Sequence, residues 1–146
     1  EAMEYIEHYF NAYPGIKAFL DHMVEQGHTN EYVTTMFGRR RPIPELKSAN
    51  YMQRQFGERI AMNSPIQGTA ADIMKIAMTK VNKRMKEENR QSRSELKVND
   101  KLPQKVPTAE CEAVKTLLVE QMQSAANLRV PLEVSVSVGN SWYETK

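Results

Sequence analysis

The sequence contains a single cysteine, Cys111, and only three histidines, His8, His22 and His28. One thiol excludes an intrachain disulfide, and the flanking Glu110 and Glu112 oppose a reactive thiolate, so Cys111 reads as a buried small hydrophobe. His8 and His22 lack a second ligand at the usual spacing, which argues against a structural zinc site. No apolar run approaches the roughly 18 residues of a membrane span. No secretory leader is expected, because the chain opens on acidic amphipathic sequence instead of a basic stretch followed by an apolar one. Internal repeats and low-complexity tracts are absent. A cytoplasmic setting with no membrane partner is the expectation.

The chain has 146 residues, 40% of them hydrophobic and 26% charged. That length suits one compact domain over residues 1–146 with its own core, and is too short to expect two. The net charge of +2 hides a division along the chain. Residues 1–31 hold one lysine and six acids, residues 34–60 hold six Lys or Arg against two acids, and residues 74–105 hold ten against four. The basic middle can face phosphates, since Lys and Arg gain affinity by releasing counterions condensed on nucleic acid. It can equally be a set of solvated faces.

Periodicity predicts an α+β protein with long helices packed on a small antiparallel sheet. Ile6, Tyr9 and Phe10 recur at helical spacing before Pro14-Gly15, and Ile16, Phe19, Leu20 and Met23 resume it until Gly27. Residues Tyr32–Phe37 have strand composition, and Gly38-Arg39-Arg40-Arg41 reads as a turn with the arginines projecting from its tip. A third helix covers Asn50–Met62. Ser64 then looks like the cap of a fresh helix with Pro65 in its first turn, so a kink or restart is expected. Ile66, Ala70, Ile73, Ala77, Val81 and Met85, three or four apart, form the core stripe of that helix. Ser94–Asp100 alternates apolar and polar residues as a half-buried strand, and Pro103 places Leu102–Val106 at an edge or in irregular structure. Thr108 can cap a helix that buries Val114, Leu117, Leu118 and Met122. Val130–Val138 reads as the last strand.

Two features carry chemistry. Arg59, Asn63 and Gln67, four residues apart on helical sequence, form a polar ladder. Arg can bond a phosphate or a minor-groove acceptor, and the two amides both donate and accept, which suits contacts that check base-pair shape without choosing a sequence. For Gln67 a structural reading stands beside this, because Ser64-x-x-Gln67 is also a capping box. Gly68 allows close approach of a neighbour or of nucleic acid. The second feature is Asp100, at the tip of a predicted hairpin, a candidate metal ligand between Asn99 and Lys101.

These segments, in this order, resemble the C-terminal part of a bacterial family A DNA polymerase, of the DNA polymerase I type. The resemblance runs the whole length: Glu1-Ala2 to Tyr9-Phe10, Tyr32-Val-Thr-Thr-Met-Phe-Gly-Arg-Arg-Arg41, Arg59–Asp72 and the closing Trp142-Tyr143. It implies a palm-domain fragment, long helices backing an antiparallel sheet, whose parent enzyme extends a primer with deoxynucleoside triphosphates and Mg²⁺. In the family the positions of Arg59, Asn63 and Gln67 touch primer-template DNA, and Asn99 joins them as a contact candidate. Asp100 falls at the family's hairpin-tip carboxylate, normally preceded by His and followed by Glu. The other essential Asp and the nucleotide-binding helix belong to segments upstream of residue 1. Each Mg²⁺ needs octahedral oxygen ligands, and Lys101 puts an ammonium where an acid is usual. An isolated chain that binds no Mg²⁺, is inactive and holds DNA weakly is therefore expected. Two further readings stay open: a non-catalytic DNA-binding module, and a structural domain with no ligand. The polar residues Ser94, Glu95, Lys97, Lys101, Gln104 and Lys105 around the hairpin fit either a trimmed, solubilised palm or a divergent relative.

Overall fold

The computed structural model describes residues 2–94 and 101–145. The chain forms two compact units, Glu1–Ala70 and Ala71–Lys146. Helices α1 (Ala2–Ala12), α2 (Pro14–Asn30), α3 (Tyr51–Glu87) and α4 (Cys111–Gln123) alternate with two antiparallel strand pairs, so the class is α+β as expected. No helix among the described residues is long and apolar enough to cross a membrane.

In the first unit, α1 and α2 are the two linked helices that the Ile6 to Met23 spacing predicts. Tyr13 breaks them apart with non-helical angles (φ −128°, ψ 65°), as a residue before proline prefers, and Pro14 then occupies the first turn of α2. Tyr9 meets Phe10 edge-on and Tyr13 at a tilt, with ring centroids 5.6 and 5.2 Å apart. Gly27 does not end α2, which runs three residues further. The helix stops at Glu31, left-handed at φ 65°, whose N–H reaches the Gly27 carbonyl. Glu31 is held there by the Ile43 N–H on its carbonyl (2.8 Å) and by Lys47 on its carboxylate (2.6 Å). Gly27 serves packing instead: a Cβ there would lie 2.9 Å from Leu46 Cδ1 and 3.3 Å from Ala61 Cβ.

Strands β1 (Tyr32–Thr34) and β2 (Arg40–Pro42) form a hairpin in which Tyr32 faces Pro42, Val33 faces Arg41 and Thr34 faces Arg40. The turn is tighter than expected. It closes over Thr35–Arg39 with Gly38 at φ 78°, so Arg40 and Arg41 belong to the strand and not to a projecting tip. Val33, Ile43, Leu46 and Ala61 form the core here, with Val24 and Ile60 against it.

Helix α3 starts where Asn50 predicts, with Asn50 Oδ1 accepting the Met52 N–H at 2.8 Å. No restart occurs at Ser64. The helix is continuous through Pro65, which is buried. A mid-helix proline costs about 3 kcal/mol, and burial of the Gly57, Ala61 and Pro65 face in this unit offsets it. That face also explains why the expected core stripe fails at its beginning. Ile66 and Ala70 are exposed and Ile73 is half-buried, because each residue turns about 100° around the axis and the buried line runs through Pro65 instead.

In the second unit Ala77, Val81 and Met85 of α3 are buried as expected. Val81 and Met85 pack with Val114, Leu117 and Leu118 of α4, and Leu102 and Val106 lie against this cluster. Strand β3 (Arg93–Ser94) pairs with β4 (Gln104–Lys105), Arg93 opposite Lys105 and Ser94 opposite Gln104. The rest of the predicted strand, 95–100, lies outside the described residues. Thr108 begins a short 3₁₀ turn instead of capping α4, and Cys111 is half-buried instead of buried. Residues 130–138 are assigned to no strand, although Leu132, Val134 and Val136 are half-buried between exposed neighbours. Their period of two survives without a ladder partner among the described residues.

Glu110 ties the start of α4 to the segment after α3. Its carboxylate accepts from the Ser92 hydroxyl (2.6 Å) and from the N–H groups of Gln91 (3.1 Å) and Ser92 (3.3 Å). These bonds, the Ser92 hydroxyl first, hold its carboxyl below the usual glutamate range. A depressed carboxyl stabilises the fold above its unfolded-state value and loses that contribution as pH falls through the folded one. Glu110→Gln is thus expected to melt below the parent near neutral pH, the gap closing on acidification toward and below the carboxylate range. Melting followed by circular dichroism from neutral to acid pH checks this; a gap that stays constant would contradict it.

Candidate nucleic-acid interface

Continuity of α3 puts Arg59, Asn63 and Gln67 on one exposed face, two residues out of phase with the buried Gly57, Ala61 and Pro65. Eight residues at 1.5 Å make the ladder about 12 Å long, the height of three to four stacked bases. The Arg59 guanidinium lies 6.0 Å from the centre of the Phe56 ring, which supports its stem. Asn63 Nδ2 donates to the Arg59 carbonyl at 3.0 Å, which fixes the amide. The capping box of Ser64 and Gln67 is not formed, since Ser64 is inside the helix and has no orphan N–H to serve. The Gln67 amide is exposed and makes no hydrogen bond within the described residues.

Behind this face the hairpin is fastened to α3. Met36 N–H donates to Thr69 Oγ1 (2.9 Å), and Arg39 Nη2 donates to the Gly68 carbonyl (3.0 Å). Within the turn, Arg39 N–H donates to Thr35 Oγ1 at 3.2 Å. Gly68 makes the approach possible: a Cβ there would sit 2.6 Å from Thr35 Cγ2. The close neighbour anticipated for Gly68 is therefore the protein's own hairpin. Arg39 is a clamp and not a solvated turn residue; no local spacing signals that, because its partner is 29 residues away.

A cavity of about 170 Å³ opens at this junction, between Thr34, Thr35, Arg39 and Arg41 of the hairpin and Ser64 and Gln67 of α3. No acid lines it. Strand alternation decides which arginine reaches it. Arg41 is opposite Val33 and shares that face, whereas Arg40 is opposite Thr34 on the other, where its guanidinium covers the Tyr32 ring at 4.7 Å.

Asp100, the carboxylate placed by sequence at the catalytic and metal position, and Asn99, the fourth DNA-contact candidate, lie outside the described residues. Among the described residues no three His, Cys, Asp or Glu side chains come together that could hold a metal ion.

The family model described as DNA polymerase family A matches residues 1–144. The chain is 46% identical over 146 residues to DNA polymerase I of Bacillus caldotenax, 48% to that of Caldicellulosiruptor bescii, and 45% to the thermostable DNA polymerase I of Thermus filiformis. In each case all of this chain is covered, and it spans 17% of the relative's length. The solved POL domain of Pol1 from M. smegmatis, in complex with DNA primer-template and dNTP, superposes with a TM-score of 0.96 at 42% identity. That match covers 99% of this chain and 26% of the other.

Proposed function

The chain belongs to DNA polymerase family A, and from that premise we propose that residues 1–146 act as one palm domain whose Arg59, Asn63 and Gln67 face holds primer-template DNA. The observation that carries this reading is the exposed ladder on continuous α3, with a glutamine amide that the protein's own bonds leave unused. A relative solved with primer-template and dNTP supports it. The parental reaction is template-directed nucleotidyl transfer from a deoxynucleoside triphosphate. In that reaction bound Mg²⁺ would supply charge neutralisation at the phosphates and an activated attacking oxygen. In this chain Asp100 is the residual carboxylate of that site and Asn99 a further DNA contact. A lone acid next to Lys101 does not complete a two-ion site, so the chain's own residues grip DNA without extending a primer.

Fluorescence anisotropy with a labelled primer-template tests the grip. Binding is expected to weaken linearly on a log-log plot as salt rises, because each neutralised phosphate releases condensed counterions. A salt-independent affinity would remove the electrostatic argument, and no binding at low salt would favour a structural domain. Primer extension with Mg²⁺ or Mn²⁺ tests the chemistry. None is expected; extension that disappears in Asp100→Asn would overturn the inactive reading.

A further inference from the structure

We propose that a second copy of this chain docks on the exposed face of α3, the two helices running antiparallel around a two-fold axis at the level of Ala61. Met52, Phe56, Arg59, Asn63, Ile66 and Ala70 follow one another at intervals of four, three, four, three and four residues. That spacing keeps one stripe turned toward a partner helix over successive turns. All six residues are exposed, Met52 at 69%, Phe56 at 51% and Ile66 at 56%. Eighteen residues at 1.5 Å make the seam about 27 Å long, close to the diameter of a small domain. Single exposed apolar residues are ordinary, but three large ones aligned on one helix face form a patch of the kind that marks an interaction site.

The content of the seam selects its occupant. In the antiparallel register centred on Ala61, Met52 faces Ala70, Phe56 faces Ile66 and Arg59 faces Asn63 of the second copy, and symmetry repeats each pair. Bulk meets smaller bulk. The Arg59 guanidinium, which touches the Phe56 ring and makes no ion pair or hydrogen bond among the described residues, meets an amide whose oxygen is likewise unused there. A parallel pairing would instead set Arg59 against Arg59, a like-charge contact. The other charges of this stretch are turned elsewhere: Arg54 donates to the carbonyls of Ser48 and Ala49, 2.9 Å each, and Glu58 lies 3.5 Å from His28. A contact of this length falls short of the roughly 800 Å² per partner of a standard interface, so the dimer is weak. The seam is also the face proposed to hold primer-template, so a second copy and DNA exclude one another; that consequence alone rests on the DNA-holding function.

Sedimentation equilibrium of the full chain over micromolar to millimolar concentrations tests the dimer. A monomer–dimer equilibrium is expected. Phe56→Glu and Ile66→Lys should each weaken it about 10-fold or more, because each puts an unpaired charge into the contact. The double variant should recover to within about 3-fold of the parent, since the antiparallel register sets the two new charges against each other and a parallel one does not. Recovery also separates the contact from a folding defect, which a second charge would not repair. Constant monomer mass, or a double variant as weak as the single ones, overturns the proposal. Saturating primer-template is expected to leave monomers. Monomers at every concentration that still bind primer-template would sink the dimer and keep the DNA-holding function; dimers that persist with DNA bound would keep the dimer and move the DNA contact off this face.

Discussion

Gly68→Ala is expected to destabilise the first unit by about 1–3 kcal/mol, the usual penalty for overpacking a fitted contact. In an open helix the same change would help by roughly 0.5–1 kcal/mol, because glycine loses more backbone freedom on folding than alanine. The sign reverses here because the new Cβ would lie 2.6 Å from Thr35 Cγ2. Thr35 cannot swing away cheaply. It is β-branched and 8% exposed, and its hydroxyl accepts the Arg39 N–H, so a rotamer change would also break the turn. Thr35→Ser deletes only the clashing methyl and keeps that oxygen. A double-mutant cycle by urea unfolding should show Gly68→Ala costly in the parent and nearly neutral or favourable beside Thr35→Ser, a coupling of about 1 kcal/mol or more. Equal cost in both backgrounds would mean that the hairpin does not press on α3 at this point.

What was legible in the sequence divides along the same contact. The ladder of Arg59, Asn63 and Gln67 was readable because it needs only a helical period, and that period continues across Pro65. The strand at Tyr32 and a turn at Gly38 were readable because glycine there is local turn chemistry, whereas the return strand Arg40–Pro42 reads from the sequence as part of that turn. The resemblance to family A came from motif order, and the match over residues 1–144 agrees with it. What failed depended on partners far along the chain. Gly27 looks like a helix stop until Leu46 and Ala61 are found against it, and Pro65 looks like a restart until its buried face is known. Ile66 fits an apolar stripe by spacing, yet it is 56% exposed because small residues, Gly57 and Ala61, mark the packed side. Glycine and alanine four apart signal a close crossing more than apolar bulk does, and that signal was present in the sequence. The clamp from Arg39 to Gly68 left no such trace.

Replacing all three ladder residues, as Arg59→Ala, Asn63→Ala and Gln67→Ala together, is expected to weaken primer-template binding by on the order of 100-fold or more. Hydrogen bonds from a charged group contribute about 1.5–3 kcal/mol and neutral ones about 0.5–1.5, and 1.4 kcal/mol is a factor of ten. The single variants should separate by mechanism and not only by size. Arg59→Ala removes a cation, so it should flatten the log-log salt slope by about 1 if the guanidinium meets a phosphate. Asn63→Ala and Gln67→Ala remove no charge and should lower affinity at every salt concentration with the slope unchanged. None should cost much stability, since all three side chains are exposed and the Asn63 bond to the Arg59 carbonyl duplicates an acceptor already used by the helix. Retained melting temperature with lost affinity would place the DNA contact on this face of α3. An unchanged affinity in the triple variant would move it elsewhere, because the basic hairpin arginines would then suffice without the helix.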